Sequence, residues 1–182
     1  MTTAQQHHIY QLDHFHEPTT YKEAAKHPHW AKAMEAEIDT PKNNDTWIEV
    51  DLPPGKRAIS SKWVFKVKLK EDGSLKRYKA RLVIRGNTQK HGIDYTKTFS
   101  PVVKMTTIRT IITLAAARKW PLYQIDVNNA FLYGELYEEV YMKMPEGISN
   151  PCNKVCKLKK SLYGLKQASR QWHSKLANFL KN

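Results

Sequence analysis

The residues best suited to chemistry in this sequence are the lysines and arginines that alternate with apolar residues between Lys62 and Arg85. Lysine and arginine form strong, charge-assisted hydrogen bonds with phosphate oxygens. The Asp72-Gly73 pair within this stretch is a strong signal for a two-residue hairpin turn. Such a turn brings basic residues together on one face of the hairpin. The facing positions predicted there are Lys66 with Lys79, Lys68 with Arg77, and Val64 with Arg81.

Like charges that face each other across a hairpin destabilise it, by a few tenths to about 1 kcal/mol per pair. A sequence that places them together gains stability when a polyanion supplies the opposite charge. We therefore predict that this face binds phosphate. The alternative is a solvated basic face that prevents edge-to-edge strand pairing. The other face is predicted to be apolar, with Trp63 opposite Leu82, Phe65 opposite Ala80, and Val67 opposite Tyr78.

Asp126 is the second candidate for chemistry, and it lies near the end of an alternating stretch, Leu122 to Val127, that is predicted to be a strand. A carboxylate in that position either binds a metal ion or caps a turn, and the residue alone leaves both functions open. Phe131 is similarly either a core residue or a ring that packs against a ligand. Residues 147–182 contain no Asp or Glu, so this sequence offers Asp126 no downstream carboxylate partner.

Zinc binding is a third and weaker candidate function. Cys152, Cys156 and His173 lack a fourth ligand at convincing spacing. Two cysteines also cannot form a disulfide scaffold, which favours a reducing, intracellular setting. The early histidines show no regular ligand spacing, so residues 1–16 are predicted to be a polar tail. Those histidines are His7, His8, His14 and His16.

Composition and charge limit the classes of protein to which the chain can belong. The 182 residues are 41% apolar, which excludes wholesale disorder and permits one domain. No apolar run is long enough to span a membrane, and the N-terminus lacks a secretory signal, so we expect an intracellular protein, cytoplasmic or nuclear and not secreted. The net charge of +13 predicts an acidic partner, most often nucleic acid. The excess lies in two blocks, residues 56–109 with a net charge of +12 and residues 151–182 with +8.

The elements that must position these residues follow from periodicity and capping signals. A short helix capped by Thr20 is followed by a helix from Pro28 whose apolar face carries Trp30, Ala33, Met34 and Ile38. A third helix is predicted over Met105–Trp120, capped by Thr106 or Thr107, and its apolar face carries Ile108, Ile111, Ile112 and Ala115. The last helix is predicted around Trp172–Leu180. The predicted strands outside the hairpin are Thr46–Val50, Leu122–Val127, Val140–Met144 and Val155–Lys159. This order predicts an α+β fold with a mostly antiparallel sheet packed with helices.

Several collinear segments resemble copia-type retrotransposon reverse transcriptases, from Glu17 to the last residue. They are Lys62-Trp-Val-Phe-Lys66, Arg77-Tyr-Lys-Ala-Arg-Leu-Val83, Gly92-Ile-Asp-Tyr95, Thr98-Phe-Ser-Pro-Val102, Gln124-Ile-Asp-Val-Asn-Asn-Ala-Phe-Leu132 and Ser161-Leu-Tyr-Gly-Leu-Lys-Gln167. The resemblance implies a right-hand RNA-directed DNA polymerase with fingers at about 17–105. The first part of the palm, with returning fingers segments, is expected at about 106–182.

The resemblance also implies roles for individual residues. Asp126 matches the first catalytic aspartate of a two-magnesium nucleotidyl transferase, with the backbone oxygen of Val127 as a lesser metal ligand. Phe131 matches the aromatic residue beneath the nucleotide sugar. The residues that match the grip on the triphosphate are Lys66, Lys79 and Arg81. Those that match the template-contacting loop are Tyr163, Gly164, Lys166 and Gln167.

The Asp-Asp hairpin of that family follows the last helix and does not occur in this sequence, nor do the thumb and RNase H parts. We therefore expect an RNA or DNA template–primer and dNTPs as partners by resemblance, but weak or no Mg²⁺ binding and no polymerisation by this chain alone. A non-catalytic basic nucleic-acid-binding module, which clamps nucleic acid between the two basic blocks, is one alternative. A non-functional transposon relic is the other.

Overall fold

The computed structural model describes residues 16–98, 100 and 103–181. Most of the predicted tail, and parts of the Thr98–Val102 motif, therefore lie outside the described residues. The helices are α1 (Tyr21–Ala24), α2 (Pro28–Asn43), α3 (Met105–Ala117) and α4 (Ala168–Lys181). The strands are β1 (Trp47–Val50), β2 (Ala58–Ile59), β3 (Ser61–Leu69), β4 (Leu75–Ile84), β5 (Tyr141–Lys143) and β6 (Val155–Leu158).

The strands form two sheets. One is the β3–β4 hairpin, and the other has four strands in the order β1-β6-β5-β2. Strand β6 pairs antiparallel with both β1 and β5, whereas β2 and β5 are parallel. The predicted α+β class with a mostly antiparallel arrangement agrees with this topology.

The core lies where α2 crosses the apolar face of the hairpin. Trp30, Met34 and Ile38 are buried along one side of α2, as their helical spacing predicted. The Trp30 ring packs edge-on against Phe65, with 5.3 Å between the ring centroids. Burying each of these side chains stabilises the fold by roughly 1.5–3 kcal/mol. The hairpin is thus held by its apolar face, which leaves its basic face outside.

The hairpin register matches the prediction at all six facing positions, but the turn differs from it. The Gly73 N–H donates to the Lys70 carbonyl, so Glu71 and Asp72 form the centre of the turn, and Gly73 follows with a φ of +80°. This loop has one residue more than the predicted two-residue turn. A register shift beyond Lys68, which leaves Lys76 unpaired, compensates for it. The prediction of Asp72-Gly73 as a two-residue turn was therefore wrong, although its pairing consequence was right.

Five other predicted elements have different boundaries, and one of them is the strand predicted at 46–50, which is β1 at Trp47–Val50. Thr20 caps α1 as predicted, because its side chain accepts from the Glu23 N–H. Helix α3 begins at Met105 after Lys104, so neither Thr106 nor Thr107 is its cap. The strands predicted at 140–144 and 155–159 are β5 and β6, each shorter than expected. Helix α4 begins at Ala168, several residues before the predicted helix.

The stretch Leu122–Val127 is not a strand, contrary to the prediction. A strand needs a neighbour for its backbone hydrogen bonds, and none of the described strands pairs with this stretch. Helix α3 is also less buried than its apolar face predicted, since Ala115 is its only buried residue. We refer to the exposed apolar side chains of residues 105–125 as the apolar α3 surface. It consists of the exposed Met105, Ile111, Ile112, Leu114, Trp120, Leu122, Tyr123 and Ile125.

Candidate functional site

The basic face of the hairpin presents cations on both strands. Lys66 lies opposite Lys79, Lys68 lies opposite Arg77, and Arg81 lies opposite Val64. The strand alternation that buries Trp63, Phe65 and Val67 turns these cations to the other side. Their side chains therefore form a concentrated positive surface on a two-stranded sheet.

Glu17 contacts this surface at the free edge of β3. One carboxylate oxygen accepts from the Lys66 Nζ at 2.7 Å, and the other accepts from the Val67 backbone N–H at 2.8 Å. Burial acts to raise the pKa of Glu17, but the hydrogen bonds from Lys66 and Val67 outweigh it and hold that pKa below its ordinary value. Lys66, a predicted phosphate ligand, is thus paired with a carboxylate of its own chain.

Glu37 occupies the equivalent place at the free edge of β4. Its carboxylate accepts from the Leu82 N–H at 3.1 Å. Burial raises the pKa of Glu37 above its ordinary value, although the Leu82 hydrogen bond and the charges of Arg81 and Lys79 oppose that rise. Glu17 and Glu37 therefore each accept a hydrogen bond from one backbone N–H, on opposite edges of the hairpin.

Lys79 is half-buried, with like charges around it. Burial lowers its pKa, and the positive charges of Arg81, Arg77 and Lys68 lower it further, while Glu37 opposes them. A bound anion would reduce this repulsion. Lys79 also lines a cleft of about 450 Å³ between α2, β4 and the segment that follows Asp126. Asn128 and Asn129 form the far wall of that cleft.

Arg81 connects the hairpin to the loop that carries Tyr163. Its guanidinium lies 4.4 Å from the centroid of the Tyr163 ring, a cation–π distance. The Tyr163 ring in turn packs edge-on against Phe131, with 4.9 Å between the centroids. The buried Arg81 Nε has no hydrogen-bond partner among the described residues. A buried donor of this kind is costly to leave unpaired, so it favours an incoming acceptor.

The Tyr163-Gly164 turn fits tightly against the end of β4. The Ile84 N–H donates to the Tyr163 carbonyl at 2.8 Å. Gly164 has a φ of +93°, and a Cβ there would collide with the Ile84 carbonyl oxygen. A Cβ at Gly86 would likewise collide with the Gly164 carbonyl oxygen. Only glycine permits this approach between the two backbones.

Gln167 points into the protein, whereas Lys166 is exposed and lies against its own chain. The Lys166 Nζ contacts the Gln89 carbonyl and the Tyr95 hydroxyl, both at 3.3 Å. Gln167 is fully buried, and its side-chain amide bonds to Gln89 and to the Asp94 carbonyl. Template contact by these residues stays a prediction, as it does for Tyr163 and Gly164. The contacts that Lys166 and Gln167 make lie within the protein, where they order the loop.

Asp126 and Val127 are exposed and lie outside any strand. Across the described residues, no three His, Cys, Asp or Glu side chains converge as metal ligands. For zinc, burial and the nearby Glu49 charge raise the pKa of the Cys156 thiol to about 12, and Cys152 is exposed. A thiol that remains protonated is a poor zinc ligand.

In the described part of the chain, two of the eight basic residues of the second basic block form ion pairs with their own chain. Lys157 pairs with Glu139 at 3.2 Å, and Lys175 pairs with Glu135 at 3.2 Å. Lys160 donates to the Asn44 carbonyl. The charge of residues 151–182 thus contributes less to an anion-binding surface than the sequence suggested.

Sequence reasoning did not identify Glu17, Glu37 or Gln89 as residues of the site. Glu17 and Glu37 act on strands that follow them by tens of residues, and Gln89 acts on a loop far downstream. No local pattern links such partners. The one available signal was the excess of basic residues at 56–109, which predicts that carboxylates from other parts of the chain pair with them.

Comparison with protein families identifies the chain. A model described as reverse transcriptase (RNA-dependent DNA polymerase) matches residues 44–182. This chain belongs to that reverse transcriptase family. The resemblance to copia-type elements is thereby confirmed at the level of the family, and the basic hairpin, Asp126 and the Tyr163 loop lie in the matched range.

Three curated relatives cover most of this reverse transcriptase chain. A retrovirus-related Pol polyprotein from transposon TNT 1-94 of Nicotiana tabacum is 52% identical over 91% of it. Those from transposons RE1 and RE2 of Arabidopsis thaliana are 49% and 47% identical over 90%. The chain spans 11% to 13% of the length of these relatives. No solved structure matches it.

Helices α1 to α4 bear on the expectation that the chain does not span a membrane. None of these helices combines the length and the hydropathy that crossing a bilayer requires.

Proposed function

We propose that this chain forms the fingers, at about 17–105, and the first part of the palm, at about 106–182, of a right-hand reverse transcriptase. The basic hairpin face binds the triphosphate of an incoming dNTP. Phe131 lies beneath the sugar, and the loop from Tyr163 to Gln167 supports the template side. The observation that carries this proposal is the Arg81–Tyr163–Phe131 stack, which joins the basic face to the segment that follows Asp126.

The physical basis of triphosphate binding is the unbalanced charge of the hairpin. Lys79 is partly desolvated among like charges, and the buried Arg81 Nε lacks an acceptor in the described part of the chain. Phosphate oxygens supply both the negative charge and the acceptors. Lys66 would first have to exchange its Glu17 partner for a phosphate, so Glu17 acts as an internal competitor.

Asp126 supplies one carboxylate to the proposed active centre, with the Val127 backbone oxygen beside it. Nucleotidyl transfer through two metal ions requires more carboxylates than Asp126 alone offers. We propose that the chain does not extend a primer by itself, and that additional polyprotein sequence both completes the centre and covers the apolar α3 surface.

A titration of the whole chain with a fluorescent dNTP tests the binding site. Lys79→Ala should weaken binding by about tenfold or more, because a hydrogen bond to a charged group contributes about 1.5–3 kcal/mol. Lys143→Ala, which removes an exposed lysine on β5 outside the hairpin, is the matched control and should leave binding unchanged. Equal affinity for the wild-type chain and Lys79→Ala would contradict the proposal.

Primer extension with the same preparation tests the second part. The expected result is no dNTP incorporation with Mg²⁺ and an RNA template–DNA primer. Clear incorporation would show that the chain is a complete polymerase, and would contradict the proposed need for further sequence.

A non-catalytic nucleic-acid clamp is the alternative function. It requires both basic blocks to be available, whereas Lys157, Lys160 and Lys175 contact their own chain. A clamp would bind template–primer duplex with a steep salt dependence and would not distinguish dNTPs from inorganic triphosphate. That outcome would favour the clamp.

A further inference from the structure

Two buried glutamines fasten the loop that carries Tyr163 to the segment that follows β4. Gln89 is 5% exposed and Gln167 is fully buried. The Gln89 Oε1 accepts from the Lys166 backbone N–H at 2.8 Å, and its Nε2 donates to the Gln167 Oε1 at 3.0 Å. The Gln167 Nε2 then donates to the Asp94 carbonyl at 3.0 Å. These bonds use both ends of each amide.

The segment that carries Gln89 is itself anchored. The Asp94 carboxylate, almost fully buried, accepts from Arg57 at 2.7 Å and from the Lys90 N–H at 2.7 Å. Gln89 also closes the short turn after β4, since its N–H donates to the Gly86 carbonyl at 3.0 Å. The amide pair therefore connects the Tyr163 loop to a rigid base rather than to a free end of the chain.

The Tyr163 ring is consequently held from two sides. On one side, the Tyr163 backbone carbonyl accepts from the N–H of Ile84, at the end of the strand that carries Arg81. On the other side, Gln89 holds the backbone at Lys166, three residues beyond Tyr163. If the second anchor is removed, the loop can shift relative to β4, and the 4.4 Å separation between Arg81 and the Tyr163 ring is no longer imposed.

We infer that Gln89 is a positioning residue that holds the Tyr163 ring under the Arg81 guanidinium and so shapes the nucleotide site. The inference rests on the proposed function of that site. Gln89 acts through the loop, because its side-chain bonds go to Lys166 and Gln167. Apolar substitution leaves the buried donors and acceptors of that loop without partners, which favours a displaced loop.

The test uses the full chain and nuclear magnetic resonance of the Arg81 Nε–H group. This group is buried, so its proton exchanges slowly enough to be observed, and Arg81→Lys identifies its signal. Tyr163→Leu gives the signal's position without the ring. Gln89→Met should move the wild-type signal towards that position. The matched control is Gln171→Met, which alters a similarly buried glutamine that contacts Glu138 instead, and it should leave the signal in place.

Binding of dTTP provides the functional measurement. Gln89→Met should weaken it by about fivefold, the factor that corresponds to roughly 1 kcal/mol, while Gln171→Met should not. An unmoved Arg81 signal, or a moved signal with unchanged dTTP affinity, would overturn the inference. If Gln89→Met does not fold, Gln89→Asn serves in its place, because its amide is one methylene shorter and withdraws from the Lys166 N–H while the side chain stays polar and uncharged. If the wild-type chain itself binds no dTTP, the proposed function fails and the Arg81 signal alone decides the role of Gln89.

Discussion

At the scale of single residues, the site is defined by which charges are already paired. Lys66 and Lys79 are adjacent on the same face, yet Lys66 has a carboxylate partner at 2.7 Å while Lys79 is surrounded mainly by like charges. Lys79 and Arg81 are therefore available to an incoming anion in a way that Lys66 is not. The residue types alone could not separate these three cations.

The pairing of Glu17 with Lys66 leads to a prediction about affinity. Glu17→Gln should tighten dNTP binding by up to about fivefold, because an ion pair this exposed contributes at most about 1 kcal/mol. The amide still accepts from the Val67 N–H, so the strand edge stays satisfied. A fluorescence titration measures the change.

Glu71→Gln, which removes a negative charge from the hairpin turn, is the control. Equal tightening by both variants would indicate a general charge effect instead.

At the scale of elements, two backbones approach each other more closely than any side chain would allow. The end of β4 and the Tyr163-Gly164 turn meet through Gly164 and Gly86. This contact fixes the loop that carries Tyr163 against the end of the hairpin. The relative position of Arg81 and Tyr163 thus depends on glycines that have no chemistry of their own.

Gly164→Ala should destabilise the chain by more than about 1–3 kcal/mol, since the left-handed φ alone costs that amount and the collision with the Ile84 carbonyl adds to it. Gly55→Ala separates the two causes, because Gly55 has a φ of +75° but open space around it. Urea unfolding measures both variants. Similar losses for Gly164→Ala and Gly55→Ala would show that the close approach does not matter.

At the scale of the whole molecule, the buried core and the exposed apolar residues lie in different parts of the chain. The hairpin, α2 and the four-stranded sheet enclose the core, whereas the apolar α3 surface faces outwards. Large exposed apolar surfaces usually mark sites of association. In the proposed polymerase, this surface is the place where additional polyprotein sequence packs.

The isolated chain should therefore self-associate through the apolar α3 surface. Replacing Ile111 and Ile112, which are 54% and 50% exposed, with Glu should reduce association while changing folding stability by only about 0.5 kcal/mol per site. Sedimentation velocity measures the oligomeric state. Ile48→Glu alters a 41% exposed isoleucine on β1, away from this surface, and is the control. A wild-type chain that stays monomeric at high concentration would contradict the prediction.

The sequence by itself determined the hairpin register, the apolar face of α2 and the family, because alternation, helical spacing and collinear motifs are local properties of the chain. Only the tertiary structure decided which cation of the hairpin is paired and how the Tyr163 loop is anchored, since Glu17 meets Lys66 and Gln89 accepts from the Lys166 backbone N–H across long separations. It also decided that Leu122–Val127 is not a strand here. Alternation makes a segment suitable for a sheet, but hydrogen bonds from a neighbouring strand are required to form one.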